Sequence, residues 1–201
     1  MMNELNINLG GYKGFSKFTQ GVQKRWKIMD VEPRSEYVYD VNSLKPIQLK
    51  ESVVDNYYAS MIFEHIYPAN IIFVLRELYR TLKPNGKIRI VVPDIKKGLS
   101  AYFNNEYKWL ASSHCPTPES YYPPTCLGKL LGWFYTDIRD VKGALRHGHN
   151  MVFDFETLNH YLEKTYFRKI QQRTFNDCSD VFFGKDFKRY EDWALYVEAI
   201  K

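Results

Sequence analysis

Residues 53–94 read VVDNYYASMIFEHIYPANIIFVLRELYRTLKPNGKIRIVVPD, and this stretch decides the fold. Val53 to Met61 is a partly apolar run of strand length that leads into Ile62-Phe63-Glu64-His65. From Asn70 to Leu82, the residues Ile71, Val74, Leu75, Leu78 and Leu82 recur at the spacing that lines one face of an α-helix, while Arg76, Glu77 and Arg80 fall elsewhere. Lys83-Pro84-Asn85-Gly86 stops that helix with a turn. Lys87 to Val92 is a β-branched run ending at Pro93-Asp94. Strand, helix, turn and apolar strand in this order predict a parallel sheet with crossover helices.

The pattern extends in both directions. Leu5 to Leu9 alternates apolar residues with Asn and meets Gly10-Gly11, which predicts a short strand ending in a tight turn. Trp26 to Val31 predicts a second strand containing Asp30, and Tyr37 to Val41 a third with Asp40 near its end. Beyond Asp94, residues 112–125 hold four prolines, a Tyr pair and His114, and read as a long irregular loop or lid. Phe155 to Tyr166 predicts another helix with Asp154 as its N-cap. Ile170 to Phe175 and Trp193 to Ile200 predict two late strands.

Bulk properties set the frame for function. A chain of 201 residues suits one α/β domain, and the near-immediate first strand is compatible with excision from a longer protein. The net charge of +5 comes from scattered Lys and Arg without a run of like charge, so a solvated surface is expected rather than a nucleic-acid footprint. Cys115, Cys126 and Cys178 form no CxxC pair and are odd in number, which argues against a disulfide framework and a structural zinc site. No stretch approaches a membrane span and no signal peptide is seen, so a cytoplasmic location is expected.

In open parallel sheets, ligands bind beyond the carboxyl ends of the strands, where strand order reverses. Gly10-Gly11 lets backbone approach a ligand closely. Asp30, twenty residues after Gly10, has the spacing of a carboxylate that accepts from ribose hydroxyls. Asp40 suits acceptance from the exocyclic amine of adenine. The glycines spell neither G-x-G-x-x-G nor a nucleoside-triphosphate loop, so adenosine recognition without a pyrophosphate cradle survives.

Taken with Leu9-Gly10-Gly11, Asp30 and Asp40, the run Val54-Asp55-Asn56-Tyr57-Tyr58-Ala59-Ser60, then Phe63-Glu64-His65, then Leu75 to Lys87 and Arg89 to Asp94, resembles the small type 11 class I S-adenosylmethionine-dependent methyltransferases. With His149 to Leu158 and Leu195 to Ala199, it looks most like their polysaccharide and glycan-biosynthesis branch. The resemblance implies a Rossmann-like, seven-stranded, mostly parallel sheet with helices on both faces and one late antiparallel strand. It implies S-adenosylmethionine as cofactor and S-adenosylhomocysteine as product. Cofactor contacts are expected from Leu9, Gly10, Gly11, Tyr12, Asp30, Asp40, Val41, Ser60 and Met61. Tyr12 departs from the family, which has a third glycine there.

Methyl transfer from a sulfonium needs an aligned nucleophile about 3 Å from the methyl carbon. For a hydroxyl acceptor, a base helps, and histidine is the usual one. The candidate base is His65 or His149, with Asp94 nearby. Glu64, His114, Tyr121, Tyr122 and His147 are candidates for acceptor binding; Trp109 and Trp133 are candidates for stacking on a pyranose, although packing is the better reading for Trp133. His147-x-His149 alone is weak evidence for a metal, and none is expected. The resulting expectation is an O-methyltransferase acting on a sugar or glycan, fused to or associated with glycosyltransferase domains. The runner-up is a nucleic-acid methyltransferase, against which stands Ser60-Met61-Ile62-Phe63 where a [DN]-P-P-[YF] motif belongs. A third reading, kept alive by Tyr12, is a non-catalytic methyltransferase-like binding module.

Overall fold

The computed structural model describes residues 4–11, 26–112, 123–134, 138–139, 145–146, 148–182 and 184–201. Seven strands form one sheet: β1 (Asn6–Leu9), β2 (Trp26–Asp30), β3 (Tyr37–Val38), β4 (Val54–Ser60), β5 (Leu82–Pro93), β8 (Arg168–Arg173) and β9 (Ala194–Ile200). Their spatial order is β3-β2-β1-β4-β5-β9-β8. Pairings from β3 through β5 are parallel, and β9 runs antiparallel to both β5 and β8. One late strand is therefore reversed. A separate two-stranded piece joins β6 (Ile138–Arg139) to β7 (Leu145–Arg146).

Side chains alternate across the sheet because the strand period is two. Tyr57, Ala59, Ile88, Ile90, Val92, Leu195 and Val197 join one core with the apolar faces of α1 (Ile71–Thr81) and α5 (Phe155–Lys164). Tyr58, Val91 and Tyr196 face the other way, into a second core with Trp133, Phe182 and Trp193. The helices α2 (Ile95–Phe103), α3 (Tyr107–Ser112) and α4 (Cys126–Phe134) gather around Ala101, Leu110 and Leu130. Ile71, Val74, Leu75 and Leu78 of α1 are completely buried, each contributing about 1.5–3 kcal/mol of transfer free energy. The carboxyl end of α1 is closed by Lys201, whose Nζ donates to the carbonyls of Tyr79 at 2.7 Å and Leu82 at 2.8 Å.

Several boundaries differ from the sequence expectation. β3 ends at Val38, so Asp40 lies in a turn beyond it, where its Oδ1 accepts from Asn42 N and its carbonyl from Ser43 N. The Asx-type turn competes with strand pairing there. Pro84-Asn85-Gly86 falls within the bounds of β5 as an irregularity, with Asn85 at φ 63 and the β4–β5 register shifting between Val54 and Asn56. The late β8 starts two residues earlier than expected, at Arg168.

Sheet polarity has one costly exception. Arg89, on β5, is 0% exposed. Its five N–H donors all find acceptors: both oxygens of Asp186, Glu198 Oε1, and the carbonyls of Thr174 and Asp177. A buried guanidinium is tolerable only with this degree of satisfaction. Among the described residues no helix is long and apolar enough to cross a membrane.

Candidate functional site

The chain runs β1, β2, β3 outward on one side and then returns to place β4 on the other side of β1. The switch point therefore lies between β1 and β4, at their carboxyl ends. Leu9, the last residue of β1, pairs with Met29 on one flank and Ala59 on the other. Gly10 follows at φ +75, its N–H donating to Met29 O at 2.9 Å. A Cβ on Gly10 would lie 2.8 Å from Ile62 Cβ, and one on Gly11 would lie 2.3 Å from Asn8 Nδ2. Gly10 thus lets β1 turn sharply against the segment leaving β4, and Gly11 makes room for the Asn8 side chain.

Asp30 closes β2 beside this turn. Its Oδ1 accepts from Glu32 N at 3.0 Å, and its second oxygen takes no hydrogen bond from the described residues. Val41 is buried, and Asp40 is exposed in its turn. Ser60 ends β4 and Met61 adopts φ 54, its N–H held by Val91 O at 2.9 Å. That left-handed residue turns the chain into the 3-10 turn Phe63–His65, which presents Glu64 and His65.

A segment distant in sequence is stitched to that turn. Asn150 N and Met151 N donate to Glu64 O at 2.7 and 3.2 Å, and Asn150 Nδ2 donates to His65 O at 2.8 Å. Asn42 Nδ2 donates to the same His65 carbonyl at 2.9 Å. This brings His149 against His65, their rings edge-to-face at 5.0 Å between centroids. His149 Nδ1 faces Trp133 O at 2.8 Å, and His65 Nδ1 faces Gly148 O at 3.2 Å. A carbonyl only accepts, so Nδ1 is the donor in both of these contacts. Ligating atoms of Glu64, His65 and His149 all lie within 4.8 Å of one another.

Burial sets the electrostatics. Glu64 is 2% exposed, and desolvation raises its carboxyl to about 8; its Oε2 accepts no hydrogen bond from the described residues. Desolvation likewise lowers His149 to about 4, against the opposing pull of the Trp133 carbonyl. His149 is therefore a neutral imidazole at neutral pH.

The structure unites His65 and His149 but gives Asp94 a different set of contacts. Asp94 caps α2, its Oδ1 accepting from Lys96 N at 3.1 Å while its own N–H donates to Trp193 O. Trp109 and Trp133 stack on each other at 5.7 Å, and Trp133 is buried as the packing reading anticipated. Tyr12, His114, Tyr121, Tyr122 and His147 lie outside the described residues. Asn42, Asn150 and the carbonyls of Trp133 and Gly148 are positioning groups that sequence reasoning missed. Carbonyls carry no sequence signal; the asparagines had one only in adjoining the Asp40 and His149 candidates.

No family model and no curated protein matches the chain. Solved structures do. A S-adenosylmethionine-dependent methyltransferase from Archaeoglobus fulgidus superposes with TM-score 0.56 at 14% identity, covering 98% of this chain and 86% of that one. One from Methanosarcina mazei gives TM-score 0.55 at 11% identity, covering 100% and 94%. A putative methyltransferase from Haloferax volcanii, solved in complex with its Trm112 activator, gives 0.54 at 13% identity, covering 98% and 82%. The chain has the Rossmann-like fold of the class I S-adenosylmethionine-dependent methyltransferases.

Proposed function

We propose that this chain is an S-adenosylmethionine-dependent O-methyltransferase that methylates a hydroxyl of a sugar in glycan biosynthesis. One observation carries the reading: the Gly10 turn, Asp30 and the His65–His149 pair converge on the same carboxyl end of the sheet, around the switch point between β1 and β4. The fold neighbours support the cofactor class, and the sequence resemblance supports the sugar acceptor.

The residues present fit the cofactor. Gly10-Gly11 keeps the backbone free of a side chain, since a Cβ would press on Ile62 at Gly10 and on the Asn8 side chain at Gly11. Asp30 offers a carboxylate oxygen to ribose hydroxyls, and the Asp40-Val41 turn lies at the adenine end. Leu9, Ser60 and Met61 belong to the proposed cofactor site, and Tyr12 is assigned to it from sequence alone. The cofactor supplies an electrophilic methyl group on a sulfonium. The chain supplies the rest: Glu64, His65 and His149 sit where an acceptor approaches, and an imidazole Nε2 takes up the hydroxyl proton. Hydrogen bonds to the carbonyls of Trp133 and Gly148 hold the two rings in place.

Transfer of labelled methyl from S-adenosylmethionine to a panel of sugars and nucleotide sugars tests the reading. An acceptor should be found, and His149→Ala or His65→Ala should lower kcat by about 100-fold or more with cofactor affinity retained. Turnover unaffected by either substitution would remove the histidines from the chemistry. Methylation of nucleic acid in place of any sugar would replace the acceptor.

A further inference from the structure

Glu64, His65 and His149 make a set that a proton acceptor alone does not need. Each of the two imidazoles turns its Nδ1 toward a backbone carbonyl. A ligating histidine whose other nitrogen donates to a carbonyl is the recurrent arrangement around a protein-bound metal. The third member is a carboxyl group that is almost fully buried, with an oxygen that accepts no hydrogen bond among the described residues. Burying such an oxygen without a partner is costly, so a native structure that does so calls for an explanation. A cation beside it supplies one.

We propose that Glu64, His65 and His149 form a binding site for one divalent transition-metal cation, with no fourth protein ligand among the described residues. Two histidines, one carboxylate and an open fourth position form the donor set of catalytic zinc sites. Bonds of about 2.0–2.1 Å place tetrahedral donors about 3.4 Å apart. The donors already lie within 4.8 Å, so side-chain adjustment on the order of 1 Å closes the set. The backbone is braced for this: Asn150 ties both halves of the site together, and Asn42 fixes the His65 carbonyl from a third segment. Nitrogen donors select a borderline cation over magnesium, which demands six oxygens and keeps its waters. A metal at the open position would acidify a bound hydroxyl. That last role rests on the methyl-transfer reading; the binding of the cation does not.

The test is calorimetric titration of the metal-stripped protein with Zn2+, and separately with Mg2+. One Zn2+ per chain should bind with micromolar or tighter affinity, and Mg2+ far more weakly. Glu64→Gln and His149→Ala should each weaken Zn2+ binding by about 30-fold or more. His160→Ala, on the exposed side of α5, should leave it unchanged. Far-UV circular dichroism establishes that each variant is folded. A folded wild type that binds no Zn2+, or binding that Glu64→Gln and His149→Ala both leave intact, overturns the site. The same samples titrated with S-adenosylmethionine separate the two readings. Cofactor binding without Zn2+ binding removes the metal alone, and Zn2+ binding without cofactor binding removes the methyl-transfer reading alone.

Discussion

Gly10 holds two constraints at one position. Its φ of +75 lies in the left-handed region, and its missing Cβ makes room for Ile62. An L side chain there costs about 1–2 kcal/mol in backbone strain before any overlap is counted. Gly10→Ala is therefore expected to lower stability by about 2 kcal/mol, read from the urea midpoint, and to weaken S-adenosylmethionine binding beyond detection. The Gly-Gly pair was legible in the sequence because a strand pattern ran straight into it. The role of Met61 was not. A methionine at φ 54 has no signature, since Met carries no turn preference of its own. Glu64 was legible as a polar residue after β4, but its complete burial was not, because that follows from residues 148–151 closing over it. The Asp94 and Asp154 side chains illustrate the opposite case: an Asp ahead of a helical pattern is an N-cap first, and both cap helices here.

At the scale of elements, α1 is fastened to the loop before β4 through its own polar face. Glu77 accepts from Ile47 N at 2.8 Å and pairs with Arg80, and Arg80 donates onward to the carbonyls of Ile47 and Leu49. The Arg80 guanidinium and the Ile47 N–H hold the Glu77 carboxyl below its ordinary 4.5. As pH falls, the unfolded chain then takes up its proton first, so the stability from Glu77 is complete above 4.5 and is lost with acid. Glu77→Gln should cost about 1 kcal/mol at pH 7, since the pair is partly screened at the surface, and the gap from wild type should be smaller at a pH below 4.5. Urea titrations at the two pH values measure it; a constant gap would show that the carboxylate charge is not the source. The helical period of residues 70–82 predicted α1 almost to its ends. It said nothing of α3 and α4, short segments whose burial comes from mutual packing around Leu110 and Leu130 rather than from a strong period of their own. The long β5 absorbed a Pro-Asn-Gly run that reads locally as a turn, because pairing to β4 resumes at Lys87 after the irregularity.

At the scale of the whole molecule, strand order does the functional work. Placing β4 beside β1, with β2 and β3 on the far side, opens the switch point and sets Gly10, Asp30 and the segment after β4 around one crevice. The alternation along β4, β5 and β9 lets one sheet serve two cores, and Arg89 with Asp186 and Glu198 ties the second core to the late strands. Period and order made the sheet readable from sequence; the meeting of His65 with His149 was not, because 83 residues separate His65 from Gly148 and only the fold joins them. Calorimetric titration of wild type and Asp30→Ala with S-adenosylmethionine and S-adenosylhomocysteine reads directly whether this end of the sheet holds the cofactor. Micromolar binding by the wild type, weakened about 100-fold or more in a folded Asp30→Ala, is the result predicted here. A folded wild type that binds neither S-adenosylmethionine nor S-adenosylhomocysteine would contradict it, and would leave a methyltransferase fold put to another use.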